Sequence, residues 1–368
     1  MKIAPFKLER YFARYEFTAR YLLSSSDCES VTIQELLGLE PDAEARFHQH
    51  WLGYTESPGS ETLRQAICQI YTTINPEEVL VHTGAEEAIF LFMHAVLEPG
   101  DHAIIHAPAY QSLYEVARST GADVELWQAR EEQAWQLDLE DLKMMVRANT
   151  KIVVINTPHN PTGYLMPGEV FEAVNQICLE NGIFLFCDEV YRESEHREEL
   201  RLPAACDENP NAVSLGVMSK TYGLPGLRIG WLATHNRAIY DKVTLLKDYT
   251  TICNSAPSEF LAELALRHRN KLAERNTGII RRNLAILNGL FERHSQRLSW
   301  KQPVAGPIAF PKLLEEDVES FCDRLVHEKG VLLVPGTIFG DQENHFRIGF
   351  GRKNMPEAVT RFEEFLSV

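Results

Sequence analysis

At 368 residues the chain is too long for one small core and suits two domains, or one large domain with a satellite. Its 45% hydrophobic content supports a sizeable core and argues against general disorder. A formal net charge of −16 disfavours nucleic acid and anionic membrane as bulk partners, leaving room for a local basic pocket that takes a small anion.

The seven cysteines form no CxxC pair and read as free thiols of a reducing cytoplasm. The stretch MKIAPFKLERYFARYEF lacks the apolar core of a secretion signal, and no apolar run approaches membrane-spanning length. A soluble cytoplasmic protein is expected.

In chain order, SSSDCES at 24–30 reads as a capped turn before a helix at 31–39. Helical periodicity follows at 61–74, a strand at 79–82 and a helix opened by glycine at 84–97. Strands at 102–106 and 123–127 flank a helix at 112–121, and strands at 151–156 and 183–189 flank a helix at 168–182. The charged run RESEHREELR at 192–201 reads most simply as a solvated loop, with a lid as the alternative, and two more strands are expected at 212–218 and 228–233. This alternation, with strands apolar on both faces, predicts a mainly parallel sheet covered by helices. Beyond 236 the pattern changes to long helices over 237–295, then a helix at 316–330, strands at 331–335 and 345–350 and a helix at 355–367, which reads as a smaller α/β domain. The expected division is 1–45 packing with the small domain, 46–265 as the large domain and 266–368 as the small one.

Ligands of open parallel sheets bind beyond the carboxyl ends of the strands, so the residues following each strand carry the functional reading. After 79–82, Gly84, Ala85 and Glu86 open a helix whose free N–H groups and dipole suit an anion. After 102–106, Tyr110 offers a ring to a planar ligand. After 151–155, NTPHNPTG makes a constrained turn in which Asn160 presents an amide. After 183–187 come Asp188, a carboxylate that needs a cationic or donor partner, and Tyr191 three residues on. After 212–218, Ser219 precedes Lys220, an amine suited to forming an imine with an aldehyde, and Arg228 can bind an anion nearby. A flat, phosphorylated, aldehyde-bearing heterocycle uses all five ends, and pyridoxal phosphate is such a molecule.

The order of NPTG at 160–163, Asp188-x-x-Tyr191 and Ser219-Lys220…Arg228 resembles the class I/II aminotransferases, fold-type I pyridoxal-phosphate enzymes. The resemblance runs from about Tyr54 to Arg347. It implies that Lys220 forms the internal aldimine and shuttles the substrate α-proton, while Asp188 pairs with the pyridine nitrogen. Asn160 and Tyr191 are implied to bond the phenolic oxygen, Tyr110 to stack on the ring, and Gly84, Ala85, Glu86, Ser219 and Arg228 to surround the phosphate. Tyr54 would reach the phosphate of a partner subunit in a homodimer, and Arg347 would clamp the substrate α-carboxylate, with Asn160 beside it.

Three departures from the pattern stand out. Val217 occupies a place where relatives often carry a hydroxyl or small residue. The region 249–258 has no cationic side chain, which puts aspartate specificity in question. SSSDCES stands where a glycine near the substrate is usual, and it offers Asp27 and Glu29 to a cationic substrate group. The expected activity is amino-group transfer between an amino acid and a 2-oxo acid. The alternative is a lyase, cyclase or racemase on the same scaffold, because the cofactor does not decide which bond breaks. No Walker lysine follows Gly84, no GxGxxG follows an early strand and no basic helix-turn-helix is present, so nucleotide-binding and DNA-binding regulatory readings are poorly supported.

Overall fold

The computed structural model describes residues 2–341 and 343–367. Its large sheet has seven strands in the order Val79–His82, Gly230–Ala233, Ala212–Val217, Phe184–Asp188, Thr150–Asn156, His102–Ala107, Asp123–Gln128. Gly230–Ala233 runs antiparallel to both of its neighbours and the remaining strands share one direction, so the sheet is mainly parallel as expected. The fold is α/β, with helices on both faces.

The alternation of side chains along each strand explains why both faces are covered. Ala103, Ile105, Ile152, Val154, Phe186, Val213 and Leu215 turn towards helices Ala85–Val96, Gln111–Ser119 and Arg237–Lys247. Ile104, Val153, Ile155, Leu185 and Cys187 turn towards Leu139–Met145 and Gly168–Glu180. Phe92 and Phe186 meet with ring centroids 4.5 Å apart. This contact adds about 1 kcal/mol beyond area burial and fixes the helix that starts at Ala85 against the strand that ends at Asp188.

A separate apolar cluster gathers Leu284, Leu287, Phe321, Leu325, Phe346, Ile348, Phe362 and Phe365, together with Tyr21 and Leu23 from the start of the chain. Here Val334–Pro335, Phe346–Gly349 and Ile308–Ala309 form a three-stranded sheet, and Tyr21–Leu22 pairs in parallel with Val331–Leu332. The single strand expected at 331–335 is thus two short strands with different partners.

The N-terminal segment divides. The Tyr11 hydroxyl donates to Leu333 O at 2.8 Å, whereas Leu36 and Leu37, on helix Ile33–Leu37, join the cluster of Leu63 and Ile67. The run 192–201 is not the solvated loop expected. Ser194 and Glu195 are buried, Glu195 pairs with Arg201 at 3.1 Å and His196 meets Gly306 O at 2.8 Å, leaving 197–199 exposed. Among the described residues, no helix is long and apolar enough to cross a membrane.

Candidate active site

A cleft of about 420 Å³ opens at the carboxyl ends of the central strands. Ala85, Glu86, Tyr110, Asn160, Asp188, Tyr191, Ser219, Lys220 and Arg228 all line it, together with Phe6, Glu9, Asn156 and Val217. It lies beside the point where the strand order reverses, between His102–Ala107 and Thr150–Asn156.

Local chemistry holds the lining in place. The His159 ring stacks on His106 at 3.9 Å, and its Nε2–H donates to Pro108 O at 2.8 Å, tying the turn of Asn160 to the loop of Tyr110. Asn156 Oδ1 accepts from Asn160 N at 2.7 Å, and Asn156 Nδ2 donates to Asp188 O at 2.9 Å. Asn156 therefore fixes two neighbouring strand ends at once.

Asp188 is buried, and the side-chain hydrogen bond it accepts within the protein comes from Val190 N at 3.2 Å. Burial pushes its carboxyl up to about 7, against the pull of Lys220. A carboxylate placed so is short of a cationic partner, a place that a protonated ring nitrogen would fill. Lys220 Nζ donates to Ser26 Oγ at 2.9 Å and lies 6.0 Å from the Tyr191 ring centroid. Removal from water holds its amine below the usual lysine range. Arg347 and Arg228 add to this, while Asp27 and Asp188 oppose it. The Tyr191 hydroxyl donates to Ser26 O at 2.9 Å, and burial raises its pKa.

Gly84 has φ +84° and caps helix Ala85–Val96. A Cβ there would collide with Arg228 Nη2, and a Cβ on Gly230 would stand 2.9 Å from Ala85 N. The two glycines leave a cradle in which free helix N–H groups and a guanidinium converge, as a phosphate requires. Arg228 itself has φ +52° and precedes the strand, which starts at Gly230 and not at 228 as expected. Tyr110 stands at the head of helix Gln111–Ser119, with Phe6 packed edge-on at 5.1 Å. The Ser112 hydroxyl donates to the Glu86 carboxylate, leaving the backbone of Glu86 for any anion.

Arg347 is fully buried behind the cleft. Its Nη1 donates to Asn160 Oδ1 at 3.1 Å and its Nη2 to Ser24 O at 2.8 Å, while Nε has no partner among the described residues. Tyr54 is 87% exposed and does not line the cleft of its own chain. Asp27 and Glu29 also lie outside it. Both carboxylate oxygens of Asp27 accept from Arg352 Nη2 at 2.8 Å, and Glu29 Oε2 accepts from Lys353 N at 2.9 Å. Phe6, Glu9 and Ser26 are parts of the site that the sequence pattern does not reveal. They arrive from a segment whose only sequence signal is a run of serines where a glycine is usual.

A buried lysine amine, a buried carboxylate and an anion cradle around one parallel-sheet crevice fit pyridoxal phosphate and define a pyridoxal-phosphate enzyme. The family model for "Aminotransferase class I and II" matches residues 21–362. Capreomycidine synthase of Streptomyces vinaceus is 30% identical over 347 residues, 93% of this chain and 88% of its own. A PLP-dependent aminotransferase from Streptococcus suis superimposes with a TM-score of 0.94 at 35% identity, covering 100% of this chain and 98% of that one. The PLP-dependent cyclase OrfR gives 0.90 at 30% identity, covering 100% and 97%. The chain belongs to the class I and II aminotransferase family, and pyridoxal phosphate is its cofactor.

Proposed function

We propose that this enzyme moves an amino group between an amino acid and a 2-oxo acid, with Lys220 as the reacting amine. The observation that carries the reading is the convergence of Lys220, Asp188 and the Gly84–Ala85 helix start on one cleft, with Arg347 directly behind Asn160. When bound, pyridoxal phosphate supplies an aldehyde for imine exchange and a ring that takes up the electron pair left at the substrate α-carbon.

The residues divide the remaining work. Arg347 and Asn160 bind the α-carboxylate, which brings the α-carbon to Lys220. Lys220, its pKa lowered by burial, takes the α-proton as a base and would give it up to the carbon on the other side of the transferred nitrogen. Asp188 would keep a proton on the ring nitrogen, and Tyr191 and Asn160 would hold the phenolic oxygen. Gly84, Ala85, Glu86 N–H, Ser219 and Arg228 would bind the phosphate, and Tyr110 would cover the ring.

A homodimer completes the proposal. Trp51, Leu52, Tyr54, Tyr249 and Ile252 form an exposed apolar surface on two touching loops, where the Thr55 hydroxyl donates to Asn254 O at 3.2 Å. By the family resemblance, Tyr54 of the partner subunit would then reach the phosphate. Seven cysteines without a disulfide suit a reducing cytoplasm.

A second reading, cyclisation or elimination on an amino acid, is favoured by the likeness to capreomycidine synthase and to the cyclase OrfR. Both readings need Lys220, Asp188 and Arg347. The test is a half-reaction: purified protein with single amino acids, basic ones included, and no added 2-oxo acid. Transamination leaves the cofactor in its amine form with one equivalent of 2-oxo acid. Recovery of the aldehyde form with a cyclised or dehydrated product selects the second reading.

A further inference from the structure

The segment 24–26 reaches the reacting groups from the far end of the chain. Ser24 O holds Arg347, Ser26 O holds the Tyr191 hydroxyl, and Ser26 Oγ accepts from Lys220 Nζ at 2.9 Å. Among the described residues this is the side-chain hydrogen bond Lys220 makes, and no carboxylate oxygen comes within 4.0 Å of its Nζ.

The charged groups around Nζ come from several elements. Asp27 lies on the same segment as Ser26, Asp188 ends its strand, Arg347 lies on a small-domain strand and Arg228 follows the lysine turn. The neutral Cys28 thiol and Tyr191 hydroxyl lie close by, and Glu9, Glu86 and Tyr110 line the same cleft. Burial lowers the amine most, two carboxylates oppose two guanidiniums at longer range, and Ser26 is the group in direct contact. A carboxylate there would lock the lysine as an ammonium. A hydroxyl accepts from the ammonium and donates to the neutral amine, so it serves both states.

We propose that Ser26 is the positioning residue for Lys220: its hydroxyl holds the free amine in the cleft in both protonation states and tunes the pH at which the amine becomes a base. The proposal rests on Lys220 being the reacting amine.

The test uses the full-length, cofactor-free chain, trace-labelled with acetic anhydride across a pH series. Acetylation of Lys220 is read by peptide mass. Loss of one hydrogen bond to the ammonium lowers the labelling midpoint of Ser26→Ala by about one unit, while Ser26→Thr keeps the wild-type midpoint. Ser26→Asp, a variant that also serves if Ser26→Ala does not fold, raises it. An unchanged midpoint in Ser26→Ala or Ser26→Asp overturns the proposal, as does a shift in Ser26→Thr equal to that in Ser26→Ala. Attachment of the cofactor at another lysine would sink the functional reading instead and leave the labelling result standing.

Discussion

Replacing Asp188 with Asn should make the cofactor-free protein more stable at alkaline pH and less able to hold its cofactor. The Asp188 carboxyl rises from 3.8 in the unfolded chain to about 7 in its buried place. The folded state therefore binds this proton more tightly than the unfolded chain does, so stability falls as pH rises between those two values. At about 1.4 kcal/mol per unit the full cost is about 4 kcal/mol, of which about 3 kcal/mol appears between pH 5 and pH 8. The substituted side chain, a neutral amide, removes that component. Urea unfolding of cofactor-free wild type and Asp188→Asn at both pH values measures it, with the buried Trp127 and Trp231 of the seven-stranded sheet as the fluorescent reporters. The difference between the two proteins should grow by about 3 kcal/mol from pH 5 to pH 8. A constant difference would mean that Asp188 is already compensated without its ligand, contrary to this prediction.

Three further outcomes follow from the same geometry. Arg347→Ala should raise KM for the amino acid by roughly 30- to 100-fold, the loss of charge-assisted bonds to a carboxylate, with the bound-cofactor absorbance unchanged. Gly84→Ala, which forces a side chain into φ +84° and against Arg228, should weaken pyridoxal phosphate binding about 5- to 100-fold in a fluorescence titration, with little change in KM. Trp51→Glu, which places a charge on the exposed surface shared with Tyr54, should shift the protein from dimer to monomer in sedimentation velocity.

Much of this site is legible in the sequence for a simple reason. A buried strand is a run of apolar residues, and the first polar residue after it must face either water or a ligand. Asp188 follows Phe184–Cys187, and Lys220 follows Ala212–Met218 by two places, so their positions come from the pattern alone. The glycine-led helix at Ala85 follows the same logic. Arg347 does not: nothing local distinguishes it from a surface-strand arginine, and its burial depends on Ser24, more than 300 residues earlier in the chain. Resemblance to a family, not the residue pattern, marks it. Phe6, Glu9 and Ser26 escape the pattern because they reach the cleft by long-range closure. Gln111 shows how that closure is held: its Oε1 accepts from Lys7 N at 2.8 Å and its Nε2 donates to Pro5 O at 3.0 Å, next to Tyr110. The loop at 192–201 misleads in the opposite direction, since its charges are consumed by Arg201 and by backbone contacts to 304–306.

The lysine to which the cofactor attaches identifies the reacting amine. Borohydride reduction of the protein loaded with pyridoxal phosphate, followed by peptide mass mapping, reads this directly. One pyridoxyl adduct per chain on Lys220, absent from Lys220→Ala, is the expected result. An adduct on another lysine, or none, would contradict the central claim.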